Sequence, residues 1–386
     1  MKKLGICVCY QHRNYGSQLQ SFATTVELEK RGIDYEIIRY KKKLTPSLAA
    51  KMLPKLFNPV FISDRVKIRY KKNLMMKTHP QLGRDNAVRN ECLAKFSREH
   101  FTKLSPVYEG YSALKSGAEK YSAVMVGSDQ LWAPGGITSD FYNLMFAPEG
   151  VERLSYAASF GVSKIEPKLH AKYREFLSRM DYISVRENAG KKLVEELSGK
   201  SAEVVVDPVM LLTAEEWLEQ IPDENRFNEP YIFAYLLGDS EEYRRQITEF
   251  AKKKGLKIIT SHHMDTYNKA DEGFGDEAPF DVGPAEFVNF IRNAEYVFTD
   301  SFHGSVFSML YKKQFLIFDR YKADTLTSKN SRIESFCENY GLSDRRFNGD
   351  IYAADNAIDF DAVYKKTDAH IKKSKAFLDK ALADLE

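Results

Sequence analysis

Short apolar runs alternate along this chain with amphipathic stretches of helical period, and this alternation constrains the fold more than any other feature of the sequence. "LGICVCY" (4–10) reads as a strand, "SQLQSFATTVELEKRG" (17–32) as a helix closed by Gly32, and "DYEIIRY" (34–40) as the next strand, which together make a βαβ unit. A helix over 86–101 follows, then strands at 121–126, 153–161 and 182–187, with a helix over 166–180 between the last two and "AEVVVDPVMLL" leading outward. The series restarts near Pro230 with "YIFAYLLGDS", a helix over 241–254, "LKIITS", a helix over 283–294, and then strand, helix and strand through "EYVFTD", "FHGSVFSMLYKK" and "QFLIFD". Strands joined by helical crossovers build mainly parallel sheets covered on both faces. The expected class is therefore α/β, with two Rossmann-like domains whose mainly parallel sheets face a cleft. The first spans 1–212 and the second 213–355, and a lysine-rich helix in 356–386 packs back across both.

Composition narrows the function classes. With 386 residues, 43% apolar and 29% charged, the chain is long enough for two cores. A net charge of +3 and the lack of zinc-finger or RNP-like spacing argue against a nucleic-acid partner. The four cysteines have neither disulfide nor metal spacing and read as reduced core thiols. The start of the chain has no signal-peptide core, and no apolar stretch is long enough to span a membrane, so a cytoplasmic protein is expected. One local excess stands out within an insertion at 41–80: residues 41–77 hold eleven Lys/Arg against one acid, with leucines, phenylalanines and methionines between them. The segment reads either as a solvated basic face or as a peripheral contact with an anionic membrane or a lipid diphosphate.

In open parallel sheets, ligands gather where strands end and helices begin. Four polar strand exits therefore supply the candidates. At "YQHRNYGSQ", Gly16 permits close backbone approach and the following helix start offers free N–H groups, so His12, Arg13, Asn14, Tyr15 and Gly16 are assigned to an acceptor. "GSDQLW" combines Ser128, Asp129 and Trp132. Asp129 reads either as a helix cap or as an acid/base group, with Ser128 hydrogen bonding to a sugar and Trp132 stacking on it. Arg186, beside Glu187, reads either as half of a surface ion pair or as a two-pronged grip on a carboxylate or phosphate. In "TDSFHGS", Asp300, Ser301, His303, Gly304 and Ser305 place a carboxylate, hydroxyls and an imidazole at a helix start, where an anion is favoured.

Six of these stretches in order, "NYGSQLQ", "AVMVGSDQLW", "LSYAASFG", "YISVREN", "VVVDPVMLL" followed by "EEW", and "TDSFHGSVFSMLYKKQFLIF", resemble the polysaccharide pyruvyl transferase family. The resemblance runs from about residue 4 to residue 320. It implies a GT-B-like fold and transfer of the pyruvyl group of phosphoenolpyruvate onto a sugar, commonly as a cyclic ketal. The acceptor it implies is a sugar or lipid-linked oligosaccharide used in capsule, exopolysaccharide or cell-wall assembly. Carried over, Arg186 and His303 contact phosphoenolpyruvate, with Ser301, Gly304 and Ser305 beside them. His303 is the expected acid, Asp129 or Asp300 the expected base, and loss of either Arg186 or His303 is expected to abolish transfer with the fold intact. No metal or resident cofactor is implied.

The chain departs from the family at one point: some members place an arginine two residues before the histidine, where this chain has Ser301. The missing charge is then expected from Arg13, Arg292 or Lys329. Two other readings share the two-domain cleft. One is a glycosyltransferase using a nucleotide sugar, whose ribose would need an acid such as Glu286 or Glu295; the other is a non-catalytic glycan-binding protein.

Overall fold

Two parallel sheets account for the alternating pattern. The computed structural model describes residues 2–43, 78–137, 140–262, 267–320 and 331–385. The first unit runs β1 (Leu4–Cys7), α1 (Tyr15–Lys30), β2 (Tyr35–Lys41), α2 (Pro80–His100), β3 (Leu104–Glu109), α3 (Tyr111–Ala118), β4 (Ala123–Val126), β5 (Glu152–Ala158), α4 (Pro167–Ser178), β6 (Tyr182–Val185), α5 (Asn188–Ser198), β7 (Glu203–Val204) and α6 (Ala214–Gln220). The second runs β8 (Tyr231–Tyr235), α7 (Glu241–Lys254), β9 (Lys257–Thr260), α8 (Pro284–Asn293), β10 (Tyr296–Thr299), α9 (Phe302–Leu310), β11 (Gln314–Ile317) and α10 (Ser331–Tyr340), and α11 (Phe360–Leu382) ends the series. The basic stretch at 44–77 and Lys329 lie outside the described residues.

The strand orders are β3-β2-β1-β4-β5-β6-β7 and β11-β10-β8-β9. Every pairing is parallel. Each order reverses direction once, between β1 and β4 in the first sheet and between β8 and β10 in the second. At such a reversal the two crossover helices leave on opposite faces, which opens a crevice beyond the strand ends. The loops after β1 and β4, and those after β8 and β10, are therefore where this fold leaves room for a ligand.

The structure adds to or shortens the sequence reading at several elements, among them the helices α6 and α10. "LSPVYE" forms β3, followed by α3, where the pattern suggested neither. Pro106 broke the signal, and it is tolerated because β3 is an edge strand. In "AEVVVDPVMLL" only Glu203–Val204 pairs with the sheet. Asp207 then accepts the Val209 N–H and caps a short 3-10 turn that turns the chain away.

One apolar core joins the two units. Tyr15 of α1 stacks on Phe287 of α8 at 4.9 Å, and Trp217 of α6 lies between Phe22 and Phe307. Arg89 of α2 is fully buried and donates to the carbonyls of His262 and Pro279 across the junction. Helix α11 spans both units: Ser374 accepts the Val206 N–H and Lys373 pairs with Glu203, while Tyr364 donates to the carbonyl of Leu310. No described helix is long and apolar enough to cross a membrane.

Candidate active site

The two sheet reversals face one another across a cavity of about 230 Å³. The first unit contributes Asn14, Ser17, Asp129 and Gln130, and the second contributes Leu237, Asp300, Ser301 and His303, with Arg320 and Arg332 alongside. Local capping builds much of this wall. Asn14 is extended and accepts the Ser17 N–H at 3.0 Å, which starts α1. Ser301 does the same for Gly304 and starts α9.

Gly16 brings the two helix starts together. A Cβ placed there would lie 2.0 Å from His303 Nδ1, so only a glycine lets α1 pass this close to the imidazole. His303 is 6% exposed. Its Nε2 lies 3.6 Å from Asp207 Oδ2, and the same oxygen accepts hydrogen bonds from Arg186 and Ser128. Burial alone would raise the Asp207 carboxyl pKa, but the charges of Arg186 and His303 hold it well below the usual carboxylate range. Asp207 is thus a fixed anion directly behind the imidazole.

Asp129 has φ 83, a left-handed conformation uncommon for a residue with a side chain. That turn points its carboxylate into the cavity, where it accepts from the Ser17 hydroxyl and the Gln130 N–H and lies 3.9 Å from Arg186 Nη2. Burial opposes ionisation, but Arg186, His303 and Ser17 outweigh it and keep the pKa below the ordinary aspartate value. The group is therefore ionised at neutral pH and accepts hydrogen bonds from hydroxyls.

The sequence profile described as polysaccharide pyruvyl transferase matches residues 14–321, which include β4, β8 and β10 of the two sheet reversals and the start of α1, but not β1. The chain belongs to that family. Its members are transferases that act on a sugar or glycan acceptor. A search of curated proteins finds no match for this transferase. Among solved structures, the S. aureus MnaA–UDP co-structure is 12% identical with a TM-score of 0.50, covering 98% of the transferase and 90% of that chain. The UDP-GlcNAc 2-epimerase of Methanocaldococcus jannaschii is 13% identical with a TM-score of 0.49, covering 96% and 93%. The former likeness gives the transferase its fold class, GT-B-like.

Several sequence assignments change once side chains are placed. Arg186 does not line the transferase cavity. It is buried, bonded to Asp207 and laid over the Phe302 ring at 4.5 Å, and so organises the carboxylates from behind the wall. It is not half of a surface pair either, because the Glu187 carboxylate is buried and accepts from Ser159, Phe160 and Gly161. Its removal is therefore not expected to leave the fold intact. Asp300 accepts the N–H groups of Leu237 and Gly238 and pairs with Arg320, which commits it to holding the β8 exit and leaves it unsuited to act as a base. Gly304 packs on Thr299, and the Ser305 hydroxyl donates to the Ser301 carbonyl, so neither reaches a ligand.

On the acceptor side, Trp132 is fully buried against Phe160 and Phe176 and donates to the Tyr142 carbonyl; the loop after β4 turns the indole into the core, away from any sugar. Ser128 is spent on Asp207, and Tyr15 is spent on the junction between units. His12 is exposed, and Arg13 lines a separate cavity of about 720 Å³ between the β1 exit and α2, with Tyr10, Gln18, Asn90 and Phe101. Arg292 is bonded to Asn289, Tyr311 and the Ile221 carbonyl at the end of α8 and supplies no charge here. Glu286 caps α8, and Glu295 is exposed at the opposite strand edge, so neither is placed to hold a ribose in this cavity.

Three residues that matter were not picked out as site residues in the sequence. Asp207 carried the same signal as the other polar exits, a lone acid after an apolar run. Arg320 lies at the polar exit of the "QFLIFD" strand, an exit not counted among the four, and Arg332 carried no such signal. A Cys9 sulfur, a His12 ring nitrogen and an Asp129 oxygen lie within 4.8 Å of one another. Asp129 is already held by Ser17, the Gln130 amide and the charge of Arg186, and no ion is assigned to the group.

Proposed function

We propose that the protein transfers the pyruvyl group of phosphoenolpyruvate onto a sugar of a polysaccharide or lipid-linked glycan precursor, forming a ketal and releasing phosphate. The observation that carries this reading is His303 in the cavity wall, backed by the buried Asp207–Arg186 ion pair, with two arginines in the same wall. Phosphoenolpyruvate carries a carboxylate and a phosphate, and Arg320 and the start of α9 are groups in the wall that suit an anion. His303 donates a proton to C3 of the enol, and the fixed anion of Asp207 stabilises the imidazolium that supplies it. C2 becomes oxocarbenium-like and a sugar hydroxyl attacks it while hydrogen bonded to Asp129. The C2–O bond to phosphate breaks, phosphate leaves, and a second hydroxyl closes the ring. Each hydroxyl loses one proton, one balancing the proton placed on C3 and the other leaving with phosphate.

The acceptor is proposed to approach from the first unit, where Asn14 lines the reaction cavity and Arg13 the larger one. Phosphate release from phosphoenolpyruvate in the presence of candidate sugar and lipid-linked acceptors tests the reading. Release that depends on both acceptor and His303 supports it. Binding of nucleotide sugars with no phosphate release would refute it.

A further inference from the structure

Four positively charged or protonatable side chains lie in the cavity wall or just behind it, and three of them already have an anionic group within ion-pair distance. Arg186 is bonded to Asp207, Arg320 to Asp300, and His303 faces Asp207. Arg332, in the first turn of α10, makes no hydrogen bond or ion pair with any described residue, yet it lines the cavity. Its guanidinium lies 5.8 Å from the centre of the Phe302 ring, the ring that Arg186 also covers, so two like charges share one aromatic side chain. Burial and then the Arg186 charge push the Arg332 pKa down to about 10, so the group stays charged at neutral pH but in a setting that disfavours the charge. The Asp129 and Glu187 charges offset part of this, but a cation with no directly bonded partner at a cavity wall is costly unless an anion completes it.

We infer that Arg332 binds an oxyanion of the donor, and so supplies from α10 the charge that relatives with an arginine two residues before the histidine carry beside it. The inference rests on the phosphoenolpyruvate reading and adds a residue to it. Sequence offered no route to this residue, because Arg332 lies thirty-one positions after Ser301 on another helix and reaches the cavity only through the fold. A guanidinium offers two parallel N–H bonds to a carboxylate or to a phosphate, and either group of the donor fits.

The test is calorimetric binding of phosphoenolpyruvate, pyruvate and inorganic phosphate to the full chain and to its Arg332→Ala and Arg332→Lys variants. Arg332 has no described hydrogen-bonded partner to lose and its charge is disfavoured, so thermal unfolding of Arg332→Ala is expected at or above the parent temperature. Its phosphoenolpyruvate affinity is expected to fall roughly 10- to 100-fold, as when a charged hydrogen-bond pair is removed. Arg332→Lys, which keeps the charge without the fork, falls between. Loss confined to pyruvate assigns the carboxylate, and loss confined to phosphate assigns the phosphoryl group. Unchanged phosphoenolpyruvate affinity in Arg332→Ala overturns this assignment alone. A parent protein that does not bind phosphoenolpyruvate overturns both the assignment and the donor.

Discussion

Gly16→Ala perturbs the site with a single methyl group. The added Cβ would lie 2.0 Å from His303 Nδ1 and 2.4 Å from its Cγ, where ordinary contact begins at 3.4 Å. The imidazole or the start of α1 must therefore retreat by roughly 1.4 Å, the difference between contact and overlap. The helix start is fixed by the Asn14 cap and by Tyr15 stacked on Phe287, so the ring is the more movable partner. Overpacking of this kind costs about 1–3 kcal/mol of stability. A displacement of about 1 Å at a reacting group costs roughly 100-fold in rate, near 2.7 kcal/mol of barrier. Turnover of Gly16→Ala, measured as phosphate release with acceptor saturating, is thus expected to drop about 100-fold while the protein stays folded at the assay temperature. Near-parental turnover would show that His303 needs no fixed position and would remove the reason for placing it at the reaction.

Three other outcomes follow from the buried charges and the core. Arg186→Ala leaves Asp207 buried with its main counter-charge gone, and denaturant unfolding is expected to show a loss of about 3–5 kcal/mol together with loss of transfer. Asp207 and Asp129 both have pKa values lowered in the folded state, so their contribution to stability is present above the unfolded aspartate value and is lost as pH falls through the folded values. Urea midpoints of the parent are therefore expected to decline below about pH 4, and Asp207→Asn, itself less stable at pH 7, is expected to flatten that decline; equal acid sensitivity in both proteins would count against the assignment. Trp132→Phe removes the hydrogen bond to the Tyr142 carbonyl and part of a packed ring cluster, and is expected to cost about 1–3 kcal/mol with the acceptor KM unchanged. A raised KM at unchanged stability would instead return the indole to the binding surface.

What the sequence made legible was periodic. The βαβ series, the two sheets and three of the four exits that face the cavity, after β1, β4 and β10, could all be read because strand and helix periods, caps and glycines act over a few residues. That His303 and Asp129 would line a cavity was legible for the same reason, since each sits at a strand exit in a run of polar residues. The roles of Trp132, Tyr15, Ser128 and Arg186 were not legible. Their residue types suit a ligand site, and only the direction of each side chain sends Trp132 into the core, Tyr15 into the junction and Arg186 behind Asp207.

The sequence by itself determined the fold class, the family and the edge of each sheet at which chemistry is possible, because local patterns govern those features. Tertiary structure alone decided which charges are already neutralised and which remain. Asp207, Arg320 and Arg332 are far apart along the chain, and they meet His303 only where two sheet reversals face each other. Charge pairing depends on distance through space, and a linear sequence does not state that distance until both units have packed. Gly16 shows this most directly: it reads locally as a turn glycine, and only the second unit reveals that it makes room for an imidazole.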